Sequence, residues 1–153
     1  MNTNTDLPFA LHDVARLMRT KFDQRARGWG MTRAQCVILK HLNHQPGLCQ
    51  TELASLLEVE PITVARLIDR LEANGLVERR PDPSDRRMHR LHLLPAADPI
   101  LKEIERYRAE SIAHFKAGIP ESDWETALRV LLHIKDKLLE ETTTAREHAE
   151  AGE

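Results

Sequence analysis

The chain has 153 residues, 41% of them hydrophobic and 30% charged, the composition of an ordinary globular protein long enough to bury its own core. No run approaches the about 18 apolar residues of a membrane span, and the Met1–Thr5 start lacks a basic region followed by an apolar one. A cytoplasmic chain is therefore expected. The net charge of −2 excludes a uniformly basic polyanion binder, and Cys36 and Cys49 provide neither a disulfide framework nor a CxxC metal pair.

Leu7, Leu11, Val14, Met18 and Phe22 recur at three- and four-residue steps and predict a first amphipathic helix, ended by Gly28 and Gly30. Thr32 with Gln35 forms a capping box for a second helix carrying Cys36, Leu39 and Leu42, which Pro46-Gly47 stops. A short third helix follows, with Cys49 at the N-cap, Glu52 at N3, and then Leu53, Leu56 and Leu57. Pro61 opens a fourth helix that buries Val64, Leu67, Ile68 and Leu71 and stops at Asn74-Gly75. The period then switches to alternation. Leu76–Arg80 and His89–Leu93 read as two strands joined by the turn-rich Pro81–Asp85 and the pair Arg86-Arg87. From Asp98-Pro99 a long helix resumes with Ile100, Ile104, Tyr107, Ile112 and Phe115 on one stripe. Gly118 and Pro120 break it, and a last helix sets Trp124, Leu128, Leu131, Leu132, Leu138 and Leu139 on one side. A fraying tail is expected from about Thr142.

Two short helices joined by a tight link, the second followed at once by a hairpin, define a winged helix-turn-helix. The fold class expected is mostly α with a small β-hairpin wing, flanked by N- and C-terminal dimerisation helices. The boundaries are a dimerisation helix over 1–30, the winged domain over 31–97, C-terminal dimerisation helices over 98–142 and a flexible tail over 143–153. Charge follows this division: residues 1–40 carry seven Lys/Arg against three acids, and 61–97 carry seven Arg against five acids. The segment from Asp98 holds eight basic and thirteen acidic residues. A local basic patch is what a polyanion meets, whatever the sum over the chain.

A helix fits the DNA major groove, and the helix before it braces it across the backbone. Opposite the apolar stripe of the fourth helix stand Thr63, Arg66 and Arg70, with Pro61 at the tip. An arginine there can grip guanine O6 and N7, and Thr63 can take a base edge or a phosphate. Arg86 and Arg87 at the hairpin tip can reach a narrow minor groove. Asp85 is expected to brace the Arg87 side chain in one rotamer. Arg79 and Arg80 alternate on a strand, so at most one of them touches phosphate.

The run Gln50–Ala54, then Asp69–Arg79, then Asp82–Arg87 with its D-x-R wing at Asp85 and Arg87, resembles the multiple-antibiotic-resistance regulator (MarR) family, in its SlyA-like branch. That resemblance implies a homodimer on a pseudo-palindromic double-stranded operator, acting as a repressor released by a small aromatic or phenolic effector. It also implies an effector cleft lined from the first, second and fifth helices, with Arg16, Phe22 and Cys36 as contacts. Its alternatives are a cysteine-based redox-sensing repressor and a winged-helix module that docks protein without DNA. No metal or cofactor is expected: His41 and His44 close a helix and suit its dipole, while His89 and His92 face opposite ways on a strand. Without GxSxG, P-loop, HExxH or dinucleotide fingerprints, an enzyme is not expected.

Overall fold

A computed structural model describes residues 6–150, and side chains for 6–142 of these. The element order is α1 (Leu7–Gly28), α2 (Arg33–His44), α3 (Gln50–Leu57), α4 (Pro61–Ala73), β1 (Val77–Pro81), β2 (His89–Leu93), a 3-10 turn (Pro95–Ala97), α5 (Asp98–Lys116) and α6 (Glu121–Glu150). The chain divides into two compact units, one ending at Arg106 and one beginning at Tyr107.

The core of the first unit is built from the stripes of α2, α3 and α4. Ile38, Leu39, Leu42, Leu53, Val64, Ile68 and Leu71 have no exposed surface, and Val77 and Leu91 of the strands close over them. Leu101 and Ile104 at the start of α5 complete it. Burial of side chains this size is worth about 1.5–3 kcal/mol each, so this cluster holds the winged module together.

Local chemistry sets the boundaries. The Thr32 box forms as its sequence predicts: Gln35 Oε1 accepts from the Thr32 N–H at 2.8 Å, and Thr32 Oγ1 accepts from the Gln35 N–H at 3.3 Å. At α3 the Glu52 carboxylate accepts from the Cys49 N–H at 2.8 Å, while Cys49 Sγ lies 3.0 Å from Thr51 Oγ1. Glu58 ends α3 in the left-handed region, at φ 54 and ψ 43, and this turns the chain sharply into α4. Gly75, at φ +69, makes the corresponding turn from α4 into β1, where a β-carbon would be strained.

β1 and β2 pair antiparallel, with Val77 opposite Leu93 and Pro81 opposite His89. An isolated two-stranded hairpin is marginal in water. Here the loop before α3 extends the pairing at the root: Gly47 N–H donates to Leu91 O at 2.9 Å, and Leu91 N–H donates to Leu48 O at 3.0 Å.

In the second unit Lys116 closes α5 by donating to Glu121 at 2.7 Å while its ammonium lies 5.6 Å from the Trp124 ring centre. The α6 helix continues to Glu150, beyond the boundary at residue 142 where the sequence suggested a tail. The threonine at that point is accommodated because its hydroxyl donates back to Leu138 O at 2.8 Å. Residues 151–153 of the expected tail lie outside the described residues, as does the Met1–Thr5 start.

Candidate nucleic-acid interface

Exposed cations of the winged module stand on two elements. Pro61, Thr63, Arg66 and Arg70 are all exposed on α4, and Arg86 and Arg87 are exposed on the loop between the strands. The seven arginines of residues 61–97 divide into two groups. Arg79, Arg80 and Arg90 are each held by acids of the module. Among the described residues Arg66, Arg70, Arg86 and Arg87 have no acidic partner within ion-pair distance. A guanidinium left in water beside others of its sign is poised for an external anion.

The wing is stiffened from its root. Asp82 is 6% exposed, and its Oδ1 accepts from Ser84 Oγ at 2.7 Å, from Ser84 N–H at 2.8 Å and from Asp85 N–H at 3.1 Å. Its Oδ2 accepts from Arg90 Nε at 2.6 Å. The Ser84 hydroxyl, then Arg90, hold the Asp82 carboxyl well below the usual carboxylate range. Arg90 Nη1 reaches on to Glu52 Oε2 and to Gly47 O, each at 3.3 Å, so the wing is tied to the N-terminus of α3. The Cys49 N–H that Glu52 accepts, followed by smaller contributions that include Arg90, lowers the Glu52 pKa in turn.

The brace expected at Asp85 is made differently. Its carboxylate accepts from the main-chain N–H of Arg87 at 2.9 Å, not from the guanidinium. The bond rigidifies the loop backbone and leaves the Arg87 side chain to solvent. Asp82 and Arg90, which do the larger share of the bracing, were not singled out from sequence because Asp82 reads as an ordinary turn former. The signal that could have found them is an arginine inside a strand of a half-buried hairpin, which demands an acid nearby.

The three residues expected around an effector stand in different surroundings: Phe22 packs against the core cluster that contains Cys36, while Arg16 lies exposed on α1. Arg16 is exposed on α1 and paired with Asp13 at 3.1 Å. Phe22 packs edge-on against Trp29, with ring centres 6.1 Å apart. Cys36 has no exposed surface, and burial pushes its thiol pKa up to about 11. A side chain closed inside the core presents no surface to a ligand. A cleft of about 730 Å³ does open in the first unit, displaced from these residues. It lies at the end of α1 and the start of α2, with Arg27, Arg33, Val37, Leu57, Thr63 and Leu67 among its walls. Among the described residues no group of three or more His, Cys, Asp or Glu could hold a metal ion, and no helix is long and apolar enough to cross a membrane.

Two short helices, a sharp turn, a hairpin tied back to the first of them and an exposed cationic side define a winged helix-turn-helix. Residues 31–89, the segment that holds the winged helix-turn-helix, match the sequence model of the MarR family. The similarity in fold extends well beyond that segment. The crystal structure of the transcriptional regulator SlyA is 24% identical over 90% of this chain and 96% of its own, with a TM-score of 0.77. FabT of Streptococcus pneumoniae, solved in complex with DNA, is 18% identical over 88% of this chain and 96% of its own, at 0.79. The S. aureus MepR-DNA complex is 22% identical over 87% of this chain and 98% of its own, at 0.75. The chain therefore has the fold of MarR-family transcription regulators.

Proposed function

We propose that this protein is a homodimeric, sequence-specific regulator of transcription that binds double-stranded DNA and is not an enzyme. The observation that carries this reading is the separation of the arginines of residues 61–97. Arg79, Arg80 and Arg90 are paired with acids, and those on α4 and the wing loop have no acidic partner among the described residues. In this reading α4 enters the major groove, with Arg66 and Arg70 on base edges and Pro61 and Thr63 at its tip, while Arg86 and Arg87 follow the flanking minor groove. The DNA complexes of FabT and MepR, which share the fold, support it.

The dimer assigns residues 1–30 and 98–142 to the subunit interface and 31–97 to DNA. Its support is apolar surface on each unit: Leu7, Phe9, Val14, Leu17 and Met18 on α1 are 46–53% exposed, and Leu128, Leu132 and Leu138 on α6 are 49–58% exposed. Apolar surface at this density along one helix is normally covered. A twofold dimer then sets two α4 helices in half-sites about one helical turn apart on a pseudo-palindrome. The protein acts in the cytoplasm as a repressor, and a small aromatic or phenolic effector releases it. The cleft beside Thr63 supports such regulation, since its apolar walls carry two arginines and adjoin the DNA-facing helix. An effector works there only through different affinities for the free and the DNA-bound shapes.

The test is a fluorescence-anisotropy titration against the protein's own upstream DNA and a scrambled duplex at two salt concentrations. Tighter, salt-sensitive binding to the first is expected. Absence of binding to either at low salt, and to any duplex selected from a random pool, would overturn the reading in favour of a protein-docking winged helix.

A further inference from the structure

Arg66 on α4 has a potential competitor on its own helix. Asp69 stands three residues further on, the spacing at which an arginine and an acid on an exposed helix face reach each other. Both side chains are exposed, yet they are not paired. The Asp69 carboxylate is instead held by Arg79 of β1, whose Nη2 donates to Oδ1 at 2.6 Å. The same guanidinium gives Nη1 to Glu72 and both Nε and Nη2 to Gln50 Oε1 of α3, at 3.1 and 3.0 Å. Every nitrogen of Arg79 thus has an acceptor inside the module, and its side chain is only 21% exposed against 65% for Asp69. Such a group is poorly placed to meet a phosphate as well.

We infer that Arg79 is a positioning residue: it draws Asp69, with Glu72, to the β1 side of α4, so that Arg66 stays available to DNA and the acids of that helix do not repel it. The inference rests on the DNA-binding reading of α4 given above. It differs from a general stabilising role in one respect. Removing Arg79 frees Asp69 to pair with Arg66, so the damage is carried by Asp69 and disappears when Asp69 is neutralised.

The experiment is a double-mutant cycle on the full-length protein, with Arg79→Ala, Asp69→Asn and the combined variant, and with Arg66→Ala and Arg87→Ala as references. Binding is read by anisotropy across a series of KCl concentrations, on a duplex selected from a random pool by the wild type and on single base-pair variants of it. Arg79→Ala is expected to bind at least about fivefold more weakly and to lose discrimination at the same base pairs as Arg66→Ala. Its salt slope should stay that of the wild type, whereas Arg87→Ala loses about one unit. The combined variant should return to within about twofold of the wild type, and Asp69→Asn alone should change little. If Arg79→Ala does not fold, Arg79→Gln carries the same cycle with Asp69→Asn, since it keeps a donor for Gln50 and releases the charge. Failure of Asp69→Asn to restore binding, or a fall in salt slope with Arg79→Ala, overturns the inference while leaving the DNA-binding reading intact. A wild type that selects no duplex overturns both.

Discussion

The proposed DNA-binding reading divides the exposed side chains into those that set register and those that read sequence, and their variants should separate the two. Arg87 stands on a loop whose backbone is fixed by Asp85, and in the proposed DNA-binding reading it meets phosphate and groove potential. Arg87→Ala is expected to weaken binding to all duplexes and to lower the salt slope by about one. Arg66→Ala should instead cost about 1–3 kcal/mol of discrimination at particular base pairs, measured by competition with single-substitution duplexes. Cys36 belongs to neither group. Its pKa, about 11 in the folded protein against an ordinary 9.0, favours the neutral thiol, so its contribution to stability is complete below pH 9 and lost as pH rises through 11. Denaturant midpoints should fall over that window, and Cys36 in the native protein at pH 8 should resist alkylation by iodoacetamide. Fast labelling of Cys36 without unfolding would favour the redox-sensing alternative. The sequence shows Thr63, Arg66 and Arg70 on one face because helical spacing alone decides that. It cannot show Arg79 in its role, because Gln50, Asp69 and Arg79 meet only when α3, α4 and β1 converge.

Among the elements, the turn from α3 into α4 and the root of the wing carry the geometry of the module. Glu58 occupies a left-handed conformation that costs a non-glycine residue about 1 kcal/mol or more. Glu58→Gly is therefore expected to raise stability by up to about 1 kcal/mol in urea titrations, with DNA affinity unchanged. The wing root responds to acid. Because the folded protein holds the Asp82 carboxyl below its ordinary value, the stabilisation is complete above about pH 4 and is lost as pH falls further, through the folded value. Asp82→Asn should flatten that acid dependence and accelerate amide exchange at Ser84 and Asp85, whose N–H groups Asp82 accepts. Element order was legible in sequence, since capping boxes, Pro61 and the change of period from helical to alternating are local signals. The 3-10 turn over Pro95–Ala97 and the run of α6 to Glu150 were not. The first precedes a helix start that Asp98-Pro99 already marked, and the second continues through threonines that lower helix propensity without breaking the helix.

For the whole molecule, the proposed dimer links the exposed apolar residues to DNA recognition. Replacing Leu132 on α6 by Asp should shift the protein towards a monomer in sedimentation and weaken binding to a full palindrome far more than to a half-site. An unchanged dimer after charged substitutions on both α1 and α6 would move the interface elsewhere. The fold class was readable from sequence because the winged module announces itself by period and punctuation. The position of the cleft was not: its walls come from α1, α2, the α3–α4 link and α4, and no periodicity within one segment reveals a space between several.

The wing, finally, is a cantilever. Its fixed end is the added pairing of Gly47 and Leu48 with Leu91, reinforced by Arg90 on Gly47 and Glu52. Its far end is the Asp85–Met88 turn, which closes on itself through the Arg87 and Met88 N–H groups. A beam clamped in this way can be lengthened or recharged at the tip without disturbing its mounting. Residues added between Arg86 and Arg87 would lengthen the tip, and in the proposed reading the spacing of DNA contacts could be redesigned while α4 stays where it is.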